Sequence, residues 1–89
     1  MTRADLVVRM AQAAGWPRAS SDRALRAMLA AIRTALRRGE PVTLVGFGTF
    51  SVVRRRPRTL RNPRTGHAVT VAGRAPRFKP SAELKQAVR

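Results

Sequence analysis

Apolar residues recur along this chain with two different periods. Leu6, Val7, Met10, Ala13 and Ala14 fall at helical spacing and predict a first helix. Thr2 is its N-cap, with Asp5 three residues on in a variant of the capping box, and Gly15 ends it. Trp16-Pro17 makes the connection, because proline disfavours a helical residue before it. Trp16 reads as either a binding aromatic or a residue packed at the helix–helix corner, and corner packing is the expectation. A second helix runs from about Arg18–Ser21 to just before Gly39. Leu25, Met28, Leu29, Ile32 and Leu36 form one apolar stripe along it, and Arg37 and Arg38 suit the negative end of its dipole. The period then shortens. Val42 to Val45 predict a strand, Gly46-Phe47-Gly48 a tight link, and Thr49 to Val53 a second strand in which Phe50 and Val52 alternate with Ser51. Ala75 to Lys79 predict a third strand. Pro80 with Ser81 is expected to start a last helix carrying Leu84 and Val88 on a thin apolar face.

Between the second and third strands the apolar pattern fails. Arg54 to Arg74 hold seven arginines (Arg54, Arg55, Arg56, Arg58, Arg61, Arg64 and Arg74) and no acid. The first half has one large apolar residue, Leu60, and so no face to bury. Asn62-Pro63-Arg64-Thr65-Gly66 predicts a turn, with Asn at its first position, Pro at its second and a left-handed Gly closing it. The second half alternates weakly, Val69 and Val71 on one side and Thr70 on the other. The segment reads as a cationic β-hairpin leaving the body. At ~3.3 Å per residue, an arm of eight residues reaches about 26 Å. The order is α-α-β-β-(arm)-β-α: an α+β fold of two N-terminal helices, a three-stranded antiparallel sheet extended into a long hairpin, and a short C-terminal helix.

The length, 89 residues, suits one domain, with residues 1–53 and 75–89 as body and residues 54–74 as arm. A domain of this size buries only about 60–65% of its extended surface. Its two amphipathic helices and small sheet leave too little apolar area for a secure core. A dimer is therefore expected, with second helices and sheets packing together through Leu29, Ile32, Leu36, Leu44, Phe47, Phe50 and Phe78.

Charge names the partner class. Nineteen Lys and Arg against four Asp and Glu give a net +15 and a pI near 12.0. Such a chain repels itself, and a polyanion relieves the repulsion. With no cysteine, disulfides and thiolate chemistry are excluded. Arg3, Asp5 and Arg9 interrupt any signal-peptide core, and Ala27–Ile32 is too short to span a bilayer, so a soluble, intracellular protein is expected. Asp5, Asp22, Glu40 and Glu83 sit on different elements and make neither a carboxylate pair nor a metal cluster; His67 reads as an exposed turn residue; no glycine pattern matches a nucleotide loop. No catalysis, metal or cofactor is expected. Gly46-Phe47-Gly48-Thr49-Phe50 invites comparison with the base-stacking strand of RNA-recognition motifs, but Thr49 stands where an aromatic belongs, and that fold begins with a strand. A membrane-surface role would need a basic helix face opposite bulky apolar residues, whereas the charge here concentrates in a β arm.

A two-stranded ribbon can lie in a DNA groove with its guanidiniums reaching phosphates, and proline is among the wedges that enter base steps from the minor groove. Leu44-Val45-Gly46-Phe47-Gly48-Thr49-Phe50, Arg61-Asn62-Pro63-Arg64-Thr65-Gly66, and Phe78-Lys79-Pro80 with Leu84-Lys85 together resemble the HU and integration-host-factor family of bacterial histone-like, DNA-bending proteins. The likeness covers essentially the whole chain. It implies an intertwined homodimer, or a heterodimer, with two arms gripping the minor groove of double-stranded DNA in the nucleoid. It makes Pro63 the intercalating wedge and Arg61, Asn62, Arg64 and Thr65 its neighbours at the tip. Arg55, Arg56, Arg58 and Arg74 become arm contacts, and Lys79, Lys85 and Arg3 body-side phosphate contacts. The expected function is architectural DNA binding and bending with little sequence preference; the alternative is a small basic RNA-binding or ribosome-associated protein.

Overall fold

A computed structural model of residues 1–89 describes every residue but Pro57 and Ala72, and describes Arg58, Val69, Thr70 and Val71 by backbone alone. The expected alternation of Val69, Thr70 and Val71 lies outside the described side chains. The elements are α1 (Arg3–Ala14), α2 (Arg18–Arg37), β1 (Val42–Leu44), β2 (Gly48–Arg54), β3 (Arg58–Arg61), β4 (Ala68–Val71), β5 (Arg74–Pro80) and α3 (Ala82–Ala87). This is the α+β order read from the sequence. The chain falls into two compact units, Met1–Thr34 and Ala35–Arg89.

In the first unit the capping box forms as its residue types dictate. The Thr2 amide donates to the Asp5 carboxylate at 2.8 Å, and the Asp5 amide donates to Thr2 Oγ1 at 3.4 Å. The bond from the Thr2 backbone, with that from its hydroxyl, favours the ionised Asp5 and lowers its pKa. Val7 and Leu25 are the buried apolar side chains, and Ser21, fully buried, donates its hydroxyl to the Pro17 carbonyl at 3.1 Å. The α2 stripe is covered only in part: Leu25 is buried, while Met28 and Leu29 stay 46% and 38% exposed. Trp16 corrects the sequence reading, being 54% exposed instead of packed at the corner. Its amide closes α1 on the Ala11 carbonyl at 3.1 Å.

In the second unit β1, β2 and β5 form one antiparallel sheet in the order β1-β2-β5, and β3 and β4 form a separate ribbon. The register sorts side chains into two faces. One carries the row Val42–Phe50–Phe78, the other Thr43–Thr49–Lys79. On the apolar face the Phe78 ring lies 4.8 Å from Phe50 and 5.6 Å from Phe47, both tilted, within the range of favourable aromatic pairs. Phe47 and Phe78 nevertheless remain 47% and 38% exposed.

Boundaries differ from expectation at several places: β2 and β5 extend to the Arg54–Arg74 rung, which the sequence gives to the arm, and three further changes accompany this. Val45 lies in the β1–β2 turn, 98% exposed; the Phe47 amide closes that turn on the Leu44 carbonyl, and Gly46 supplies its positive φ of 80°. Pro80 ends β5 opposite Gly48 instead of opening the helix, and Ser81 caps α3 by accepting from the Leu84 amide at 3.1 Å. Proline is tolerated at a sheet edge because it needs to donate nothing outward. Val88 follows the end of α3 and is 76% exposed, so the thin apolar face reduces to Leu84.

Candidate nucleic-acid interface

Local chemistry shapes the tip of the β3–β4 ribbon. The ribbon pairs Arg58 with Val71 through to Arg61 with Ala68. Beyond it the Asn62 amide donates to the His67 carbonyl at 2.9 Å and the Gly66 amide to the Asn62 carbonyl at 2.8 Å. The expected turn is therefore present, one residue wider than a four-residue β-turn, and Gly66 closes it with φ 72°. Two side chains brace it from within. Asn62 Oδ1 accepts from the Arg64 amide at 2.9 Å, and Thr65 Oγ1 accepts from the His67 amide at 3.3 Å. Such Asx and Ser/Thr turns satisfy backbone donors locally. Pro63 stands at the apex, exposed, with Arg61, Asn62, Arg64, Thr65 and His67 exposed around it. Leu60 is 56% exposed, as expected of a segment with no face to bury.

Arg54, Arg55 and Arg56 are exposed at the root, where the Arg55 amide bonds the Gly73 carbonyl. The Arg58 side chain lies outside the described residues. Arg74 is held differently: its Nη2 donates to the carbonyls of Leu36 and Arg37, each at 3.3 Å, at the C-terminal end of α2. That edge of the guanidinium faces the body of its own chain.

A second cationic surface lies on the polar face of the sheet. Lys79 pairs with Thr49, which pairs with Thr43, and the two threonine hydroxyls are 3.3 Å apart. Arg77 pairs with Ser51 two positions along and so shares this face. Arg77 and Lys79 are both exposed. Lys79 is expected from the sequence and Arg77 is not, although the alternation of Arg77, Phe78 and Lys79 places both cations opposite the phenylalanine. Lys85 is exposed on α3 in the same unit; Arg3 is exposed at the start of α1 in the other. Among the described residues the one ion pair is Arg26 with Asp22, at 2.8 Å on α2, so acids of this chain do not neutralise the described arm cations. No group of His, Cys, Asp or Glu among the described residues could hold a metal, and no described helix is long and apolar enough to cross a membrane.

The chain matches the family model described as bacterial DNA-binding protein over residues 1–89. It is 42% identical to DNA-binding protein HU-beta of Escherichia coli K12 over 89 residues, covering 99% of each chain. It is 43% identical to HU-beta of Neisseria meningitidis, covering 99% of this chain and 100% of that one. Among solved structures it resembles HU in an Anabaena HU–DNA cocrystal, with a TM-score of 0.85, 34% identity and coverage of 99% and 97%. HU from Thermotoga maritima gives a TM-score of 0.73 at 31% identity over both full chains. With a full-length family match, relatives above 40% identity end to end, and the Arg-Asn-Pro-x-Thr-Gly tip folded as an exposed, braced turn, the chain belongs to the bacterial DNA-binding protein family of HU and integration host factor.

Proposed function

We propose that this protein is a dimeric architectural DNA-binding protein that grips double-stranded DNA through two arms, enters the minor groove with Pro63 and bends the duplex with little sequence preference. The observation that carries this reading is the tip: an exposed proline on a braced turn, among exposed arginines that no described acid neutralises. Phosphate contacts from Arg55, Arg56, Arg58, Arg61 and Arg64 give affinity without sequence information. Lys79, Lys85 and Arg3, joined by Arg77, extend the phosphate contacts onto the body. The Anabaena relative, solved with DNA, supports duplex DNA as the partner.

The partner chain is a second copy. Each unit taken alone leaves large apolar side chains uncovered, Met28 and Leu29 in one, Phe47 and Phe78 in the other. Leu29, Ile32, Leu36, Leu44, Phe47, Phe50 and Phe78 are the side chains a second copy would cover. Residues 1–53 and 75–89 serve as the body and residues 54–74 as the arm of one functional domain. The protein works without catalysis, in the nucleoid, by mechanical deformation of DNA.

Competition separates this reading from RNA binding. A-form RNA offers a wide, shallow minor groove, into which a narrow ribbon fits poorly. Unlabelled duplex DNA should displace a labelled duplex at well below the concentration required of duplex RNA of equal length. Equal displacement would favour the small RNA-binding protein.

A further inference from the structure

We propose that Arg74 is a positioning residue that ties the root of the arm to the end of α2, and that it fixes the direction in which the arm leaves the body instead of contacting DNA.

An α-helix leaves its last carbonyls without intrahelical donors. Here the chain turns back through Gly39, the Gly39 amide bonding Leu36 at 3.0 Å and the Glu40 amide bonding Ala35 at 2.9 Å. This is the Schellman arrangement, and it serves Ala35 and Leu36. Arg74 comes from 37 residues away to take the next carbonyl, that of Arg37, and to share that of Leu36. A cation belongs at this place because the helix dipole presents its negative end there.

The root of the arm needs such a tie for two reasons. Arg54 and Arg74 are the last rung of the β2–β5 ladder. They stand directly opposite, and like charges so placed repel. Drawing the Arg74 guanidinium onto the α2 carbonyls removes it from that encounter. The ladder also changes register just beyond. Arg54 pairs with Arg74, but the next described rung pairs Arg58 with Val71. Three residues lie between the two rungs on the outgoing side and two on the returning side, and between them the Arg55 amide still bonds the Gly73 carbonyl. An extra residue on one strand bends a ladder, and the side-chain tie at the last β2–β5 rung holds the strand from which that bend starts.

The DNA measurements below rest on the function proposed above; the exchange measurement does not. Arg74→Ala and Arg74→Lys are compared with the parent protein and with Arg56→Ala, in which an exposed arm cation is lost. Each phosphate contact contributes about 0.9 to the slope of log affinity against log salt, so Arg56→Ala should lower the slope by ~1.8 for two arms. Arg74→Ala should leave the slope as in the parent but broaden the end-to-end distance distribution of a saturated, dye-labelled duplex. In the DNA-free protein it should speed hydrogen exchange at the Arg55 amide, which bonds Gly73 beside the tie. Arg74→Lys, which keeps a cationic donor able to reach carbonyls, should restore both. A slope lowered as in Arg56→Ala would make Arg74 a phosphate contact and overturn the proposal. So would an unchanged bend distribution together with unchanged Arg55 exchange. A parent protein that fails to bend DNA would sink the proposed function, while the Arg55 exchange rate would still decide the role of Arg74.

Discussion

Raising salt from 50 to 200 mM should weaken binding to duplex DNA by roughly 10³–10⁵-fold, the loss expected when about 6–10 phosphates are neutralised. The number follows from the arm. Arg55, Arg56, Arg61 and Arg64 are exposed, and two copies in a dimer present eight such cations, before any contact from Arg77, Lys79 or Lys85 on the body. None of these needs to be freed from an internal acid first, since the one described ion pair lies on α2. Each phosphate they meet releases condensed counterions, and that release is what added salt opposes. Anisotropy titrations of a labelled duplex at several salt concentrations give the slope directly. A nearly flat dependence would mean that the arm's charge is not what holds the DNA.

Gly48→Ala should lower the thermal midpoint by about 5–20 °C, from ~1–3 kcal/mol of overpacking in a domain where 1 kcal/mol moves the midpoint by ~4–8 °C. Gly48 is buried in β2, between Leu44 on one side and Pro80 on the other. A Cβ built there would sit 2.5 Å from Phe78 Cζ and 2.7 Å from the Lys79 carbonyl oxygen. The ring is held against Phe47 and Phe50, and the carbonyl is backbone. Relief therefore requires β2 and β5 to separate, which disturbs both the Phe47–Phe50–Phe78 cluster on one face and the Thr49–Lys79 row on the other. Calorimetry of the variant checks the shift; a midpoint equal to the parent's would show that the strands yield without cost.

Much of this molecule can be read in its sequence because periodicity and turn chemistry are local. The stripe from Leu25 to Leu36 gave α2, the alternation around Phe50 gave β2, and Asn62-Pro63-x-x-Gly66 gave a turn whose Asn and Gly play the expected parts. The misreadings have local causes too. Proline tolerates both the end of a strand and the start of a helix, and only the Gly48–Pro80 pairing decides for the strand. Trp16 closes α1 through its backbone amide, which asks nothing of the indole, and the ring is left exposed. Arg74 lies at the other extreme. Its charge made it resemble the arm's other arginines, and nothing near it in sequence reports that two carbonyls 37 and 38 residues away would claim one of its nitrogens. Arg77 was missed for the converse reason: without the strand register, a lone arginine between Pro76 and Phe78 has no partner to give it meaning.

The central claim is that Pro63 deforms DNA and does more than shape its turn. The turn has its own supports, the Asn62 carbonyl bonded to the Gly66 amide and Asn62 Oδ1 bonded to the Arg64 amide, so it should survive replacement of the proline. That makes Pro63→Ala a direct test, by end-to-end energy transfer on a short duplex saturated with protein. The parent should bring the duplex ends together. The variant should keep most of the affinity, which comes from phosphate contacts, yet leave the ends markedly farther apart. Equal bending by parent and variant, or a duplex left straight by the parent, would contradict the account.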